Sequence, residues 1–223
     1  MRGLWLFVFA LGVPFFTAAR AGDTGRPPNI LVIVADDVGW GEFGFQGRRD
    51  VPTPHIDSIA REGVRFTQGY VSCPVCAPTR AGLLTGKYPT RFGFELYDAG
   101  KDSGIPDNVP TLAQRLRSLG YETSAVGKWH VGLKERFRPL RRGFQDYYGT
   151  LLNSPYFRPE LFLDTRVSAR FLNIDDPGFY TTTAYGERAV ESVQLRHGKP
   201  WFLYLAFNAA HTPYQAPQEY VEQ

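Results

Sequence analysis

The apolar positions of the chain fall into two rhythms. Residues 29–35 make an unbroken, largely β-branched run that predicts a strand buried on both faces, as in a parallel sheet, and the run stops at Asp36-Asp37. Ile56, Ile59 and Ala60 then recur at helical spacing, Gly63 suits the left-handed position that ends a helix, and residues 64–72 read as strand-like. Behind Pro78, residues 79–85 are good helix formers followed by Gly86; Pro110 opens another helix with Leu112, Leu116 and Leu119 on one face and Gly120 at its end. A short strand is predicted over residues 121–126, breaking at Gly127 into Lys128-Trp129-His130. Periodicity is lost over residues 138–159, a Gly-, Pro- and Tyr-rich stretch that predicts loop. Helical spacing returns over residues 182–196, and residues 201–207 form a second all-apolar strand leading to His211. Alternation of strand and helix predicts an α/β fold: a doubly wound, mostly parallel sheet flanked by helices.

Composition narrows the class. A chain of 223 residues is long enough for one sizeable α/β domain, and its apolar content excludes disorder and fibre. The net charge of +3 comes with no dense Lys/Arg run, which argues against a nucleic-acid surface. Residues 1–21 follow the grammar of a signal peptide: Arg2, an apolar run over residues 4–16, then Ala19-Arg20-Ala21, with cleavage expected after Ala21. Pro14 interrupts that run and it falls short of a spanning helix, so no stable membrane span is expected. The expected destination is extracytoplasmic: secreted, periplasmic or lysosomal. The absence of an Asn-x-Ser/Thr acceptor favours a bacterial periplasm or exterior.

In open α/β sheets, sites form beyond the carboxyl ends of the strands. Four groups follow predicted strands here: Asp36-Asp37, Cys76, Lys128 with His130, and His211. Parallel strands would carry all of them to one rim, a mixture that suits a metal beside an anionic substrate. Adjacent carboxylates are most easily held ionised when a hard cation such as Ca²⁺ or Mg²⁺ neutralises them, but an Asp cap on a following turn containing Gly39 also explains them, and the pair alone is a weak signal for a metal. Cys76 stands at a predicted helix N-terminus with Arg80 in the first turn, a setting that activates a thiol or holds an oxyanion. Cys73 and Cys76 also fit a thiol–disulfide exchange motif, and the two histidines and Lys128, taken singly, read as ordinary structural or solvated residues.

The stretch Cys76-Ala77-Pro78-Thr79-Arg80-Ala81-Gly82-Leu83-Leu84-Thr85-Gly86 resembles the signature of the type I, formylglycine-dependent sulfatases of the alkaline phosphatase superfamily. Residues 29–37, Thr53-Pro54-His55-Ile56-Asp57, Gly127-Lys128-Trp129-His130 and His211-Thr212-Pro213 are similar to family segments in family order, so residues 22–223 read as the N-terminal portion of a sulfatase catalytic domain. The resemblance implies hydrolysis of sulfate esters. Cys76 would be converted to formylglycine by a formylglycine-generating enzyme, and one hydroxyl of its hydrate would attack sulfur while the other later expels sulfate. By the same resemblance Asp36, Asp37 and residue 76 would face Ca²⁺, with Mg²⁺ as the alternative. Arg80 would position the aldehyde hydrate, Lys128 and His211 would contact the sulfate, and His130 would take up a proton. Thr79 stands where the family most often has Ser, and the family's further Asp, Asn or His, and Lys come from segments beyond Gln223. A sulfated small molecule or carbohydrate is the expected substrate. Three rivals remain at this level: a catalytically silent fragment that keeps part of an anion pocket, a thiol–disulfide oxidoreductase, and a phosphate or phosphonate ester hydrolase on the same scaffold.

Overall fold

The structure is a computed structural model that describes residues 25–96, 103–196 and 198–222. The expected signal peptide lies outside the described residues. A five-stranded sheet runs in the order β1-β5-β2-β3-β4, with β1 at Ile30–Val34, β2 at Glu122–Gly127, β3 at Asp146–Thr150, β4 at Phe162–Asp164 and β5 at Trp201–Ala206. β1, β5, β2 and β3 are mutually parallel, and β4 adds antiparallel to β3. The helices are α1 (Pro54–Glu62), α2 (Cys76–Thr85), α3 (Leu112–Ser118), α4 (Thr181–Gln194) and the short α5 (Gln218–Val221).

The two faces of the sheet bury separate cores. From β5, Phe202 and Tyr204 enter a cluster that includes Ala77, Ala81 and Leu84 of α2 and Leu116 of α3, whereas Leu203 and Leu205 enter a second cluster with Tyr185 and Ala189 of α4. Strict alternation on an all-apolar strand is what burial from both sides requires, so β5 behaves as its sequence predicts. Local signals explain the helix ends. Thr111 and Gln114 close a capping box on α3, Pro54 opens α1, and Gly86 ends α2 in the left-handed conformation.

Four expectations are corrected. Gly63 closes α1 in an extended conformation, at φ of −112°, and not in the left-handed one. β1 is an edge strand with β5 as its sheet neighbour among the described residues, so its pattern alternates: Leu31 and Ile33 are 45% and 50% exposed. α4 packs under β2, β3 and β5. Residues 64–72 form no strand, because no backbone ladder runs beside them, and Val64, Phe66, Tyr70 and Val71 face solvent. The stretch 138–159 is not all loop: β3 lies inside it, and β4 follows shortly after.

Candidate active site

Three strand ends deliver the site. Beyond β1, the Asp36 N–H donates to the carbonyl of Ala209 at 2.9 Å, which ties the acid turn to the segment leaving β5. Beyond β2, Gly127 has φ of 102°, and a Cβ there would stand 1.9 Å from the carbonyl oxygen of Ala206, so only glycine lets β2 and β5 approach this closely. Lys128 then donates its backbone N–H to Ala206 (2.8 Å), Trp129 to Thr150 (3.0 Å) and His130 to Leu151 (3.0 Å). Those bonds stitch the Lys-Trp-His segment across the rim between β5 and β3. Both Asp37 and His130 are held in the left-handed region, at φ of 53° and 59°, a strain that surrounding structure must impose.

Beneath the rim lies a buried charge cluster. Asp36, Arg80 and Lys128 are 4%, 1% and 1% exposed. Arg80 Nη2 sits 3.0 Å from Asp36 Oδ1, and the Lys128 ammonium pairs with the other carboxylate oxygen. Arg80 Nη1 donates to the Lys128 carbonyl at 2.8 Å and lies 3.4 Å from the Tyr204 hydroxyl. Burial alone would raise the Asp36 carboxyl, but the charges of Arg80 and Lys128 outweigh it and hold the group below 3.8. For Lys128 burial comes first and the neighbouring Arg80 charge second, and together they lower its ammonium below the usual value.

Above that cluster, Cys76 Sγ lies 3.3 Å from His130 Nδ1. Cys76 is the first residue of α2 and is only part-buried, while Ala77, Pro78 and Arg80 behind it are buried. Cys76 therefore reaches the rim at a helix N-terminus, as its sequence predicts, where unpaired N–H groups favour an anion, although the strand expected before it is absent. Burial, followed by the charges of Lys128 and Arg80, pushes the His130 imidazole down to about 3, so it is neutral at neutral pH. His211 reaches the mouth from the β5 side: its Nε2 lies 3.4 Å from Asp37 Oδ2 and 3.1 Å from Asn153 Nδ2.

All seven residues singled out from sequence meet at one rim. The sequence reading missed Tyr204, which appeared as one more apolar strand position, and Asn153, which lies in the aperiodic stretch. Asn153 beside the polar rim was findable only once β3 was recognised as the strand that delivers it.

The donor set for a cation is partial. Two carboxylates stand at the acid turn, Asp36 buried and Asp37 with its side chain 57% exposed, and Asn208 Oδ1 nearby in sequence to His211 is buried without a hydrogen-bond partner. These are oxygen donors of the kind Ca²⁺ takes. Among the described residues, however, no group of three or more His, Cys, Asp or Glu side chains encloses a metal position, and Asp36 is already neutralised by two cationic side chains.

A mostly parallel sheet gathers a thiol, two imidazoles and a buried carboxylate–guanidinium–ammonium cluster at its carboxyl rim, a setting that suits an anionic ligand. The sulfatase family model matches residues 28–223, and the chain belongs to the sulfatase family. The N-acetylgalactosamine-6-sulfatase of Mus musculus is 33% identical across 98% of this chain and 45% of its own length. The steryl-sulfatase of the same organism is 42% identical over 59% of this chain and 23% of its own. Among solved structures, Ps i-CgsB in complex with k-i-k-neocarrahexaose matches with a TM-score of 0.78 at 34% identity, over 87% of this chain and 48% of that one. The chain thus spans less than half the length of these relatives, whose fold is the alkaline-phosphatase-like one. No helix among the described residues is long and apolar enough to cross a membrane.

Proposed function

We propose that this chain carries the sulfate-binding and nucleophilic half of a sulfate-ester hydrolase. The observation that carries the reading is the meeting of the Cys76–His130 pair with the Asp36–Arg80–Lys128 cluster, whose Lys128 and Arg80 charges bear on the His130 ring. Oxidised to formylglycine, residue 76 would supply the hydroxyl nucleophile of an aldehyde hydrate, and a hard cation at Asp36 and Asp37 would offset the charge of the sulfate oxygens.

The chain's own residues do the rest. Arg80, fixed at both ends by Asp36 and the Lys128 carbonyl, presents a rigid positive charge under residue 76 that positions the nucleophile and attracts the ester's anionic head. Lys128 adds a second charge from the same depth. Because His130 is neutral at working pH, its ring nitrogen facing residue 76 can accept a proton there. His211, part-exposed at the mouth, is placed to hydrogen-bond the bridging oxygen as the alcohol departs. The names of the relatives, an N-acetylgalactosamine-6-sulfatase and a protein solved with a carrahexaose, support a sulfated sugar as the substrate class. The expected setting is extracytoplasmic, with a formylglycine-generating enzyme as maturation partner.

Mass spectrometry of the residue-76 peptide, from chain exported by a host that contains such an enzyme, tests the reading together with assays on an aryl sulfate, a sulfated oligosaccharide and a phosphate monoester. An aldehyde at residue 76 with selective sulfate release supports it. An unmodified thiol or a Cys73–Cys76 disulfide, with no sulfate release, overturns it.

A further inference from the structure

Past Ala206, residues 207–217 run without helix or strand, yet they carry His211 to the mouth of the site. Backbone polar groups in such a strap need partners from elsewhere. At the β1 end the Phe207 N–H donates to Val34 O and Ala209 O accepts the Asp36 N–H, both at 2.9 Å, and further partners come from the loop that leaves β3. The Tyr156 side chain is 2% exposed, and its hydroxyl lies 3.0 Å from the carbonyl of Asn208 and also contacts the carbonyl of His211. Asn208 O in turn accepts the His211 N–H at 2.9 Å, so the phenol sits on the turn that sets the direction of His211. The far end of the strap is held by the same residue, whose N–H donates to Gln215 Oε1 at 2.9 Å. Tyr180 adds a second clasp, donating its hydroxyl to Gln215 O at 3.0 Å and packing its ring 6.0 Å from that of Tyr156. Thr181, at the start of α4, donates its N–H to Tyr156 O at 2.9 Å and anchors the clasp to the helix.

We propose that Tyr156 is a positioning residue for His211: its buried hydroxyl fixes the turn at residues 208–211, so that the imidazole meets Asp37 and Asn153 at the mouth of the site. Burial, with Tyr180, Asp36 and Asp37 as neighbours, pushes the phenol up to about 12, so it stays a donor throughout the working range. Asn153 and Tyr156 belong to one loop, and that loop therefore orients both the ring of His211 and the backbone behind it. The proposal rests on the reading of His211 as part of the sulfate-ester site.

Tyr156→Phe keeps the ring and its packing against Tyr180 and removes only the donor. In this chain, amide hydrogen exchange at His211 is expected to accelerate about fivefold, with the amides of β5 unchanged, since one hydrogen bond is worth roughly 1 kcal/mol. The imidazole nitrogen signals of His211 in NMR spectra should move, and the Kd for inorganic sulfate should rise about 3- to 10-fold. Unchanged exchange and unchanged ring signals at His211 overturn the proposal. If inorganic sulfate does not bind the parent chain, the functional reading fails, while the exchange and ring signals still decide the role of Tyr156. Should Tyr156→Phe not fold, Gln215→Ala, which removes the acceptor at the far end of the strap, is expected to shift His211 in the same direction by less. No change at His211 in that variant overturns the proposal equally.

Discussion

At residue 76 the geometry separates two chemistries that the sequence leaves open. Cys76 faces His130, while Cys73 lies outside that pair and its carbonyl accepts the Thr79 hydroxyl at the head of α2. Sulfate-ester hydrolysis should therefore survive Cys73→Ser and vanish with Cys76→Ala, measured as release of sulfate from an aryl ester, whereas redox exchange would require both thiols. His130 supplies a pH prediction. The unfolded chain binds this proton below the ordinary value of 6.5, but the folded chain binds it only near 3, so the unfolded state holds more protons across that window and stability rises with pH through it. Between pH 7 and pH 4 urea denaturation should show a loss on the order of 3 kcal/mol from this group, and His130→Gln should flatten the slope. An equal slope in the variant would remove His130 as its source. Asp36 acts lower, because its stabilisation is lost only as the pH falls through its depressed value, under 3.8. Asp36, Asp37, Lys128, His130 and His211 were legible because they follow apolar runs that end in polar groups, and Cys76 and Arg80 because they open a helix and match the signature. Tyr204 and Asn153 lack that contrast and became visible only through the strands that carry them.

Among the elements, β2, Glu-Thr-Ser-Ala-Val-Gly, is marked by its position between the breaks at Gly120 and Gly127, whereas β5 follows from its pattern alone, since burial on both faces demands continuous apolar character. β3 does not, because Asp-Tyr-Tyr-Gly-Thr mixes a charge, a glycine and aromatics and gains its strand conformation from pairing with β2. Gly149 within it has φ of 152°, and a Cβ there would lie 2.1 Å from the carbonyl oxygen of Gly127. The Tyr147 hydroxyl reinforces the same junction, donating toward Gly127 O (2.9 Å) and Thr150 O (2.7 Å). Gly149→Ala should cost about 3 kcal/mol or more by prising β3 from the end of β2, read as a lowered Tm together with loss of the site, because the Lys-Trp-His segment is hung on that junction. A variant with the parent's Tm would show that the junction yields without strain. The strand-like pattern of residues 64–72 misleads for the reverse reason: alternation and β-branching describe a segment that fits a sheet, and the described residues provide no neighbouring strand for it to join.

For the molecule as a whole, cation binding measures how much of the site these residues supply. With two carboxylates at the acid turn and no enclosing group of three among the described residues, calcium should bind this chain with a Kd of about 10⁻⁴ M or weaker, and Asp37→Asn should weaken it further, both measurable by calorimetry. Micromolar affinity would mean that other oxygens close the coordination shell. The sheet order carries a different consequence, which concerns time. β5 lies between β1 and β2, so the first strand made must wait for residues 201–206 before it gains its neighbour, and Asp36 reaches Arg80 and Lys128 only when that central slot is filled. Until then the Cys-Ala-Pro-Thr-Arg segment, whose alanine, proline and arginine are interior in the finished fold, would be open to an enzyme that reads it. Under the proposed function, the placement of one strand would thus give the growing polypeptide an interval for chemical maturation of residue 76, and filling the slot would end it.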